Sequence, residues 1–102
     1  MLVLAALLVA SNVQAQMPNL EPWQEKAMEK VFEYHRIEKA QWNTLDQFML
    51  HSSSVGIAWK VVIEDLMCRG LFASIGKPEG HEFVVSVYHT DTNDFLGIAR
   101  CR

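Results

Sequence analysis

The stretch VGIAWKVVIEDLMCR, from Val55 to Arg69, decides the fold of this chain because it is compatible with two structures. At a period of two residues, its apolar side chains form one face of a strand, and its run of β-branched residues favours that structure. At a period of 3.6 residues, the helix-like ends Ser54 and Gly70 enclose an amphipathic helix. The sequence favours the helix, whose apolar stripe would consist of Val55, Ala58, Trp59, Val62 and Leu66.

The residues before this stretch predict helical structure. From about Leu20 to Met49, apolar side chains recur at helical spacing, while glutamates occur every fourth residue on the opposite side. Asn43-Thr44-Leu45-Asp46 could cap a second helix, so the segment is either one long helix or a helix pair with a break near Asn43. The serines at positions 52–54 then form a linker.

The residues after Gly70 predict β-structure. Leu71 to Ile75 is a short apolar stretch, and the residues from Gly76 to Gly80 have the composition of a turn. Two alternating segments, His81 to His89 and Phe95 to Cys101, flank a polar loop and predict a β-hairpin. The whole order predicts an α+β fold: an N-terminal helix or helix pair packed on a small antiparallel sheet that ends in the C-terminal β-hairpin.

Length and charge limit the classes of protein that this chain can represent. Its 102 residues are enough for one small domain. Its formal net charge is −3, and its nine Lys and Arg residues are scattered along the chain. A nucleic-acid-binding domain usually carries a concentrated basic surface, so we expect no nucleic-acid partner.

The N-terminus predicts export from the cytoplasm. Leu2 to Ala10 is a continuous apolar run, too short to span a bilayer but long enough for the core of a signal peptide. Val13 and Ala15 suit a cleavage site, which gives a signal peptide at 1–15 and a single mature domain at 16–102. No Lys or Arg precedes the apolar run, which departs from the usual pattern; a buried N-terminal helix is the alternative. We expect a periplasmic or secreted protein with no membrane anchor after cleavage.

Export gives the two cysteines a structural role. Cys68 and Cys101 are the only cysteines of the chain, and an oxidising compartment favours a disulfide between them. Closing a loop of this length stabilises a fold by about 3.5–4 kcal/mol on the chain-entropy estimate.

One pair of residues suggests chemistry. If the first helix is continuous, Glu38 projects from the middle of its apolar stripe and His35 lies one turn before it. Such a pair could carry out acid–base catalysis or bind a metal, and the hypothesis is a small hydrolase or metal-dependent protein. If the helix breaks near residues 38–43, Glu38 is in water instead. No zinc-site or catalytic-triad motif occurs, so we predict no metal or other cofactor.

The main functional hypothesis is therefore protein binding. Asp91, Asn93 and Asp94 occupy the predicted hairpin loop. Trp42 belongs to a residue type that is enriched at interfaces, although core packing is its default interpretation because it falls on an apolar face. The sequence is typical of a small exported interaction protein with a protein partner. An inhibitor, an immunity-type protein and an accessory subunit of an envelope machine are the classes that fit.

Overall fold

The computed structural model describes residues 19–102. Helix α1 (Pro22–Lys30) continues into a short 3-10 turn (Val31–Glu33) and is followed by strands β1 (Lys39–Thr44) and β2 (Gln47–Ser52). Helix α2 covers 59–74, and strands β3 (Phe83–His89) and β4 (Phe95–Cys101) complete the chain. The predicted signal peptide lies outside the described residues. Neither helix within 19–102 has the length and apolar character needed to cross a membrane.

The four strands form one mixed sheet in the order β1-β2-β3-β4. The outer pairs are antiparallel hairpins, whereas the central strands β2 and β3 are parallel. Helix α2 makes the crossover between them, as a parallel connection requires. The α+β class and the C-terminal β-hairpin are thus confirmed, but the sheet is not purely antiparallel.

The predicted helix between Leu20 and Met49 is wrong in its second half. Helix α1 and its 3-10 turn end at Glu33, and the residues from Lys39 to Ser52 form a β-hairpin. Its buried side chains alternate on each strand, with Trp42 on β1 and Phe48 and Leu50 on β2. A turn at 45–46 and a register shift between Trp42 and Thr44 interrupt this alternation. The sequence therefore does not show the two-residue period that is typical of strands.

The stretch from Val55 to Arg69 is helical from Trp59 onwards, and the helix has an unusually wide middle part. Its middle part, Ile63–Leu71, is a π-helix between two short α-helical ends, Trp59–Val62 and Phe72–Ser74. The Phe72 N–H donates to the carbonyl of Met67, five residues back. The wider turn moves the buried stripe to Trp59, Ile63, Met67 and Phe72.

Helix α2 also starts and ends later than predicted, so Val55 and Ala58 of the predicted stripe lie before its first residue, Trp59. Gly70 lies inside it rather than beyond its end, and most of the apolar stretch from Leu71 to Ile75 is helical instead of extended. Gly76 has a φ of +92° just after the helix, a conformation that glycine adopts without steric cost.

Both helices cover the same side of the sheet. The Trp23 ring of α1 lies 5.5 Å from the Trp42 ring, and the Phe72 ring of α2 lies 4.8 Å from the Phe83 ring. The predicted disulfide is confirmed, and it joins Cys68 of α2 to Cys101 of β4 with 5.2 Å between the Cα atoms. The core is therefore a single layer of side chains between the helices and one face of the sheet.

Candidate functional site

The opposite side of the sheet is not covered by either helix. We call it the open face and define it by the side chains of β1–β4 that alternate with the core positions. It includes a shallow concavity of about 270 Å³. The members of the open face are Lys39, Gln41, Asn43, Gln47, Met49, His51, Val84, Ser86, Tyr88, Phe95, Ile98 and Arg100.

Aromatic rings form a row across one end of the open face. His51 is the sheet neighbour of Tyr88, and Tyr88 is the neighbour of Phe95. Their ring centroids are separated by 6.2 Å and 5.9 Å. Phe95 is 58% exposed, and Ile98, which lies nearer the middle of β4, is 47% exposed. Large apolar surface is thus available to a partner.

The β3–β4 loop, residues 90–94, adjoins this aromatic row. The Asn93 Oδ1 atom lies 3.3 Å from the His51 Nε2 atom, and Asn93 holds a left-handed φ of 62°. A backbone hydrogen bond also closes the loop, because the His89 N–H donates to the Asp94 carbonyl at 2.7 Å. Asp91, Asn93 and Asp94 are exposed, so the loop predicted to bind forms one rim of the open face.

A polar cluster lies where the two parallel strands end. We call Glu38, Ser53, His89 and Thr90 the strand-end cluster. Strands β2 and β3 end side by side at this edge, and the Thr90 N–H donates to the Ser52 carbonyl at 3.0 Å. The Ser53 hydroxyl donates to Glu38 Oε2, and the Ser53 N–H lies 3.3 Å from the same oxygen.

These contacts lower the pKa of the Glu38 carboxyl below 4.5. The hydroxyl hydrogen bond from Ser53 is the largest cause, followed by the nearby Thr90 hydroxyl; the charge of His89 contributes less, and partial desolvation opposes them. The Thr90 hydroxyl makes no hydrogen bond of standard geometry, so we assign its effect to proximity. A carboxylate with a lowered pKa is a weak proton acceptor.

The hydrogen bonds of the strand-end cluster hold segments of the chain together. The Glu38 carboxylate links the segment before β1 to Ser53, which follows β2. The His89 ring bonds within its own loop: its Nδ1 accepts from the Asp91 N–H at 3.1 Å, which leaves the proton of the neutral ring on Nε2.

The structure does not pair Glu38 with His35. The predicted continuous helix ends before either residue, so the geometry on which the hydrolase hypothesis depended is absent. The His35 ring lies 6.1 Å from that of Tyr34, and Glu38 is exposed. The part of the chain that the structure describes holds no group of three His, Cys, Asp or Glu side chains suited to bind one metal ion.

Trp42 cannot serve as a surface contact. It has no exposed area, stacks on Phe48 at 4.5 Å and donates its indole N–H to the Gln24 carbonyl at 3.0 Å. Its candidate role in binding is therefore corrected to a role in the core.

Sequence reasoning missed Tyr88, Phe95 and Ile98 as one exposed surface. The alternation of β3 and β4 was visible, but it gives no information on which face the helices leave uncovered. Comparisons with protein-family models, with curated proteins and with solved structures gave no match for this chain.

Proposed function

We propose that this chain is an exported interaction protein that binds a protein partner through the open face and its rim, the loop at 90–94. The observation that carries the proposal is the asymmetry of the sheet: both helices cover one side, while the other presents Phe95 and Ile98 to solvent. Aromatic and Met side chains are enriched in protein interfaces, and Tyr88 and Met49 accompany these two residues. Burying them against a partner releases water from apolar surface.

The size of the open face supports participation of the loop. Four strands of about seven residues give a face of roughly 19 by 23 Å, or about 400 Å² in outline. A stable interface buries about 800 Å² on each partner. The sheet alone falls short of this area, so the partner also contacts the rim, where Asp91 and Asp94 are exposed.

The disulfide supports the compartment in this proposal. A disulfide in a small domain fits an oxidising environment, and the apolar run at Leu2 to Ala10 fits an export signal. The mature protein then acts in a periplasm or outside the cell, as an inhibitor, an immunity-type protein or an accessory subunit. The mass of the protein purified from its own host tests this part, since cleavage after Ala15 leaves a chain that begins at Gln16.

Site-specific crosslinking tests the binding surface. A photoreactive amino acid at Ile98 is compared with one at Val61, which is 52% exposed but lies on helix α2. We expect one discrete crosslinked partner from Ile98 and none from Val61. With that partner purified, Ile98→Lys should raise the dissociation constant at least about tenfold. Val61→Lys is the matched control and should leave it unchanged; equal effects of the two changes would overturn the proposal.

A further inference from the structure

The disulfide gathers three arginines into one cleft. Each cysteine has basic neighbours in the sequence, in Cys68-Arg69 and in Arg100-Cys101-Arg102. Joining the two cysteines brings these arginines to a cleft of about 290 Å³, whose lining they share with Cys68 and Glu64. We propose that this cleft binds a tetrahedral oxyanion, a phosphate or sulfate group. The proposal does not depend on the proposed function: Arg100 lies on β4 beside Val84 of the open face, but Arg69 and Arg102 lie outside that face.

The guanidinium groups retain free hydrogen-bond donors. One nitrogen of Arg69 lies 3.1 Å from Asp65, and one nitrogen of Arg100 lies 3.8 Å from Glu82. Each guanidinium carries five N–H donors, so these contacts occupy a small part of its capacity. Both pairs are solvent-exposed, and such pairs hold side chains weakly. The arginines can therefore turn towards a ligand.

Arg102 is the most available of the three. Within residues 19–102, no carboxylate lies within 4 Å of its guanidinium nitrogens. Arginine remains charged at every physiological pH, so the like charges beside the disulfide repel each other permanently. Glu64 is the one carboxylate that lines the cleft and offsets part of that charge. Asp65 and Glu82 offset more of it through their contacts with Arg69 and Arg100. Arg102 is therefore the charge that is left for a bound anion.

The shape of the guanidinium group favours a tetrahedral anion over a carboxylate. Each planar fork can donate two parallel N–H bonds to two oxygens. A phosphate or sulfate group presents four oxygens in different directions, enough for forks that approach from helix α2 and from β4. A carboxylate presents two oxygens in one plane and can satisfy fewer of the donors.

Titration by nuclear magnetic resonance tests the cleft in the oxidised, full-length protein. Inorganic phosphate, sulfate and acetate are added separately at constant ionic strength. We expect saturable shifts of the amide signals of Arg69, Arg100 and Arg102 with phosphate and sulfate, and weaker binding of acetate. A phosphate monoester tests whether the natural ligand is a free ion or a group on a larger molecule. If it binds as tightly as inorganic phosphate, the cleft accepts a phosphate group carried on a larger molecule. If it binds more weakly, the ligand is the free ion.

Two variants complete the test. Arg102→Gln should weaken phosphate binding about tenfold, because it removes a charged donor that no fold contact uses. Arg36→Gln is the control, since Arg36 donates to Ser54 in the linker before α2, away from the cleft. Shifts that do not saturate, or equal affinities of both variants and the wild type, would overturn the proposal.

Discussion

Gly97 lies where strand β4 packs tightly against the first residue of helix α2, Trp59. A Cβ atom at this position would lie 2.5 Å from the Cβ of Trp59 and 3.5 Å from its Cα. Neither atom can move by side-chain rotation, so Gly97→Ala must displace the helix or the strand. We expect it to lower the free energy of unfolding by about 1–3 kcal/mol, the usual cost of overpacking, as measured by denaturant titration.

Gly70 provides the control for this substitution. It lies inside helix α2, and a Cβ there would approach nothing closer than the Asp65 carbonyl at 3.8 Å. Gly70→Ala should stabilise the protein by about 0.5–1 kcal/mol, because alanine loses less backbone entropy in a helix. Equal losses of stability in the two variants would contradict the close contact at Gly97.

Glu38 makes stability depend on pH in the acidic range. Its folded-state pKa lies below 4.5, so the ionised form favours the folded protein. This contribution is complete above the unfolded pKa and disappears as the pH falls through the lower, folded value. We expect Glu38→Gln to lower the melting temperature at neutral pH, and the difference from the wild type to shrink below pH 4.5.

Ser53→Ala tests the cause of that pKa shift. Because the Ser53 hydroxyl is its largest source, removing the hydroxyl should raise the pKa of Glu38 towards 4.5. Nuclear magnetic resonance of the Glu38 carboxyl carbon measures it directly. An unchanged pKa in Ser53→Ala would show that another group holds the carboxylate ionised.

At the scale of the elements, helix α2 shows what hydrophobic periodicity can and cannot predict. The apolar content predicts the helix itself, although both of its predicted ends, Ser54 and Gly70, are wrong. The buried face did not, because the period of 3.6 placed Leu66 in the core, whereas Leu66 is 54% exposed and Met67 is buried. The buried positions lie at intervals of four, four and five residues, which indicates the wider π-helical turn. They are Trp59, Ile63, Met67 and Phe72.

In the first hairpin, helical spacing of apolar residues predicts a helix where the structure has two strands. Trp42, Leu45 and Met49 are spaced like one face of a helix, but they occupy the core, the turn and the open face, respectively. Strands of six residues with a turn of two and an irregular register give too few repeats for a period of two to stand out. The C-terminal hairpin was predictable because both of its strands have seven residues and alternate clearly.

The site was predictable only in part, for a related reason. The sequence indicates Glu38 as a candidate because it is a carboxylate among apolar residues. Its partner in the structure is Ser53, a linker residue that the β1–β2 hairpin brings next to it. The loop at 90–94 was identified as a candidate from its composition alone. Its position beside His51 depends on the parallel pairing of β2 and β3, which no local pattern encodes.

At the scale of the whole molecule, the disulfide should contribute a large part of the stability. The cysteines are separated by 33 positions. Closing such a loop lowers the entropy of the unfolded chain, which raises its free energy by about 3.5–4 kcal/mol at room temperature. We expect reduction to decrease the free energy of unfolding by about this amount in urea titrations with and without reductant. The Cys68→Ala, Cys101→Ala double variant is the control, since reductant should not affect it. A loss below about 1 kcal/mol would contradict this role.

The disulfide between Cys68 and Cys101 does not cross the boundary between strands β2 and β3, which we call the seam. Both cysteines belong to the second helix and hairpin, whereas the parallel pairing of β2 with β3 joins that half to the first. If the seam opened, the linker at 53–58 would act as a hinge and each half would present an unpaired strand edge. Two opened chains could then exchange halves, and the swapped dimer would repeat every native contact except those of the hinge. Oxidation alone does not prevent this domain swap.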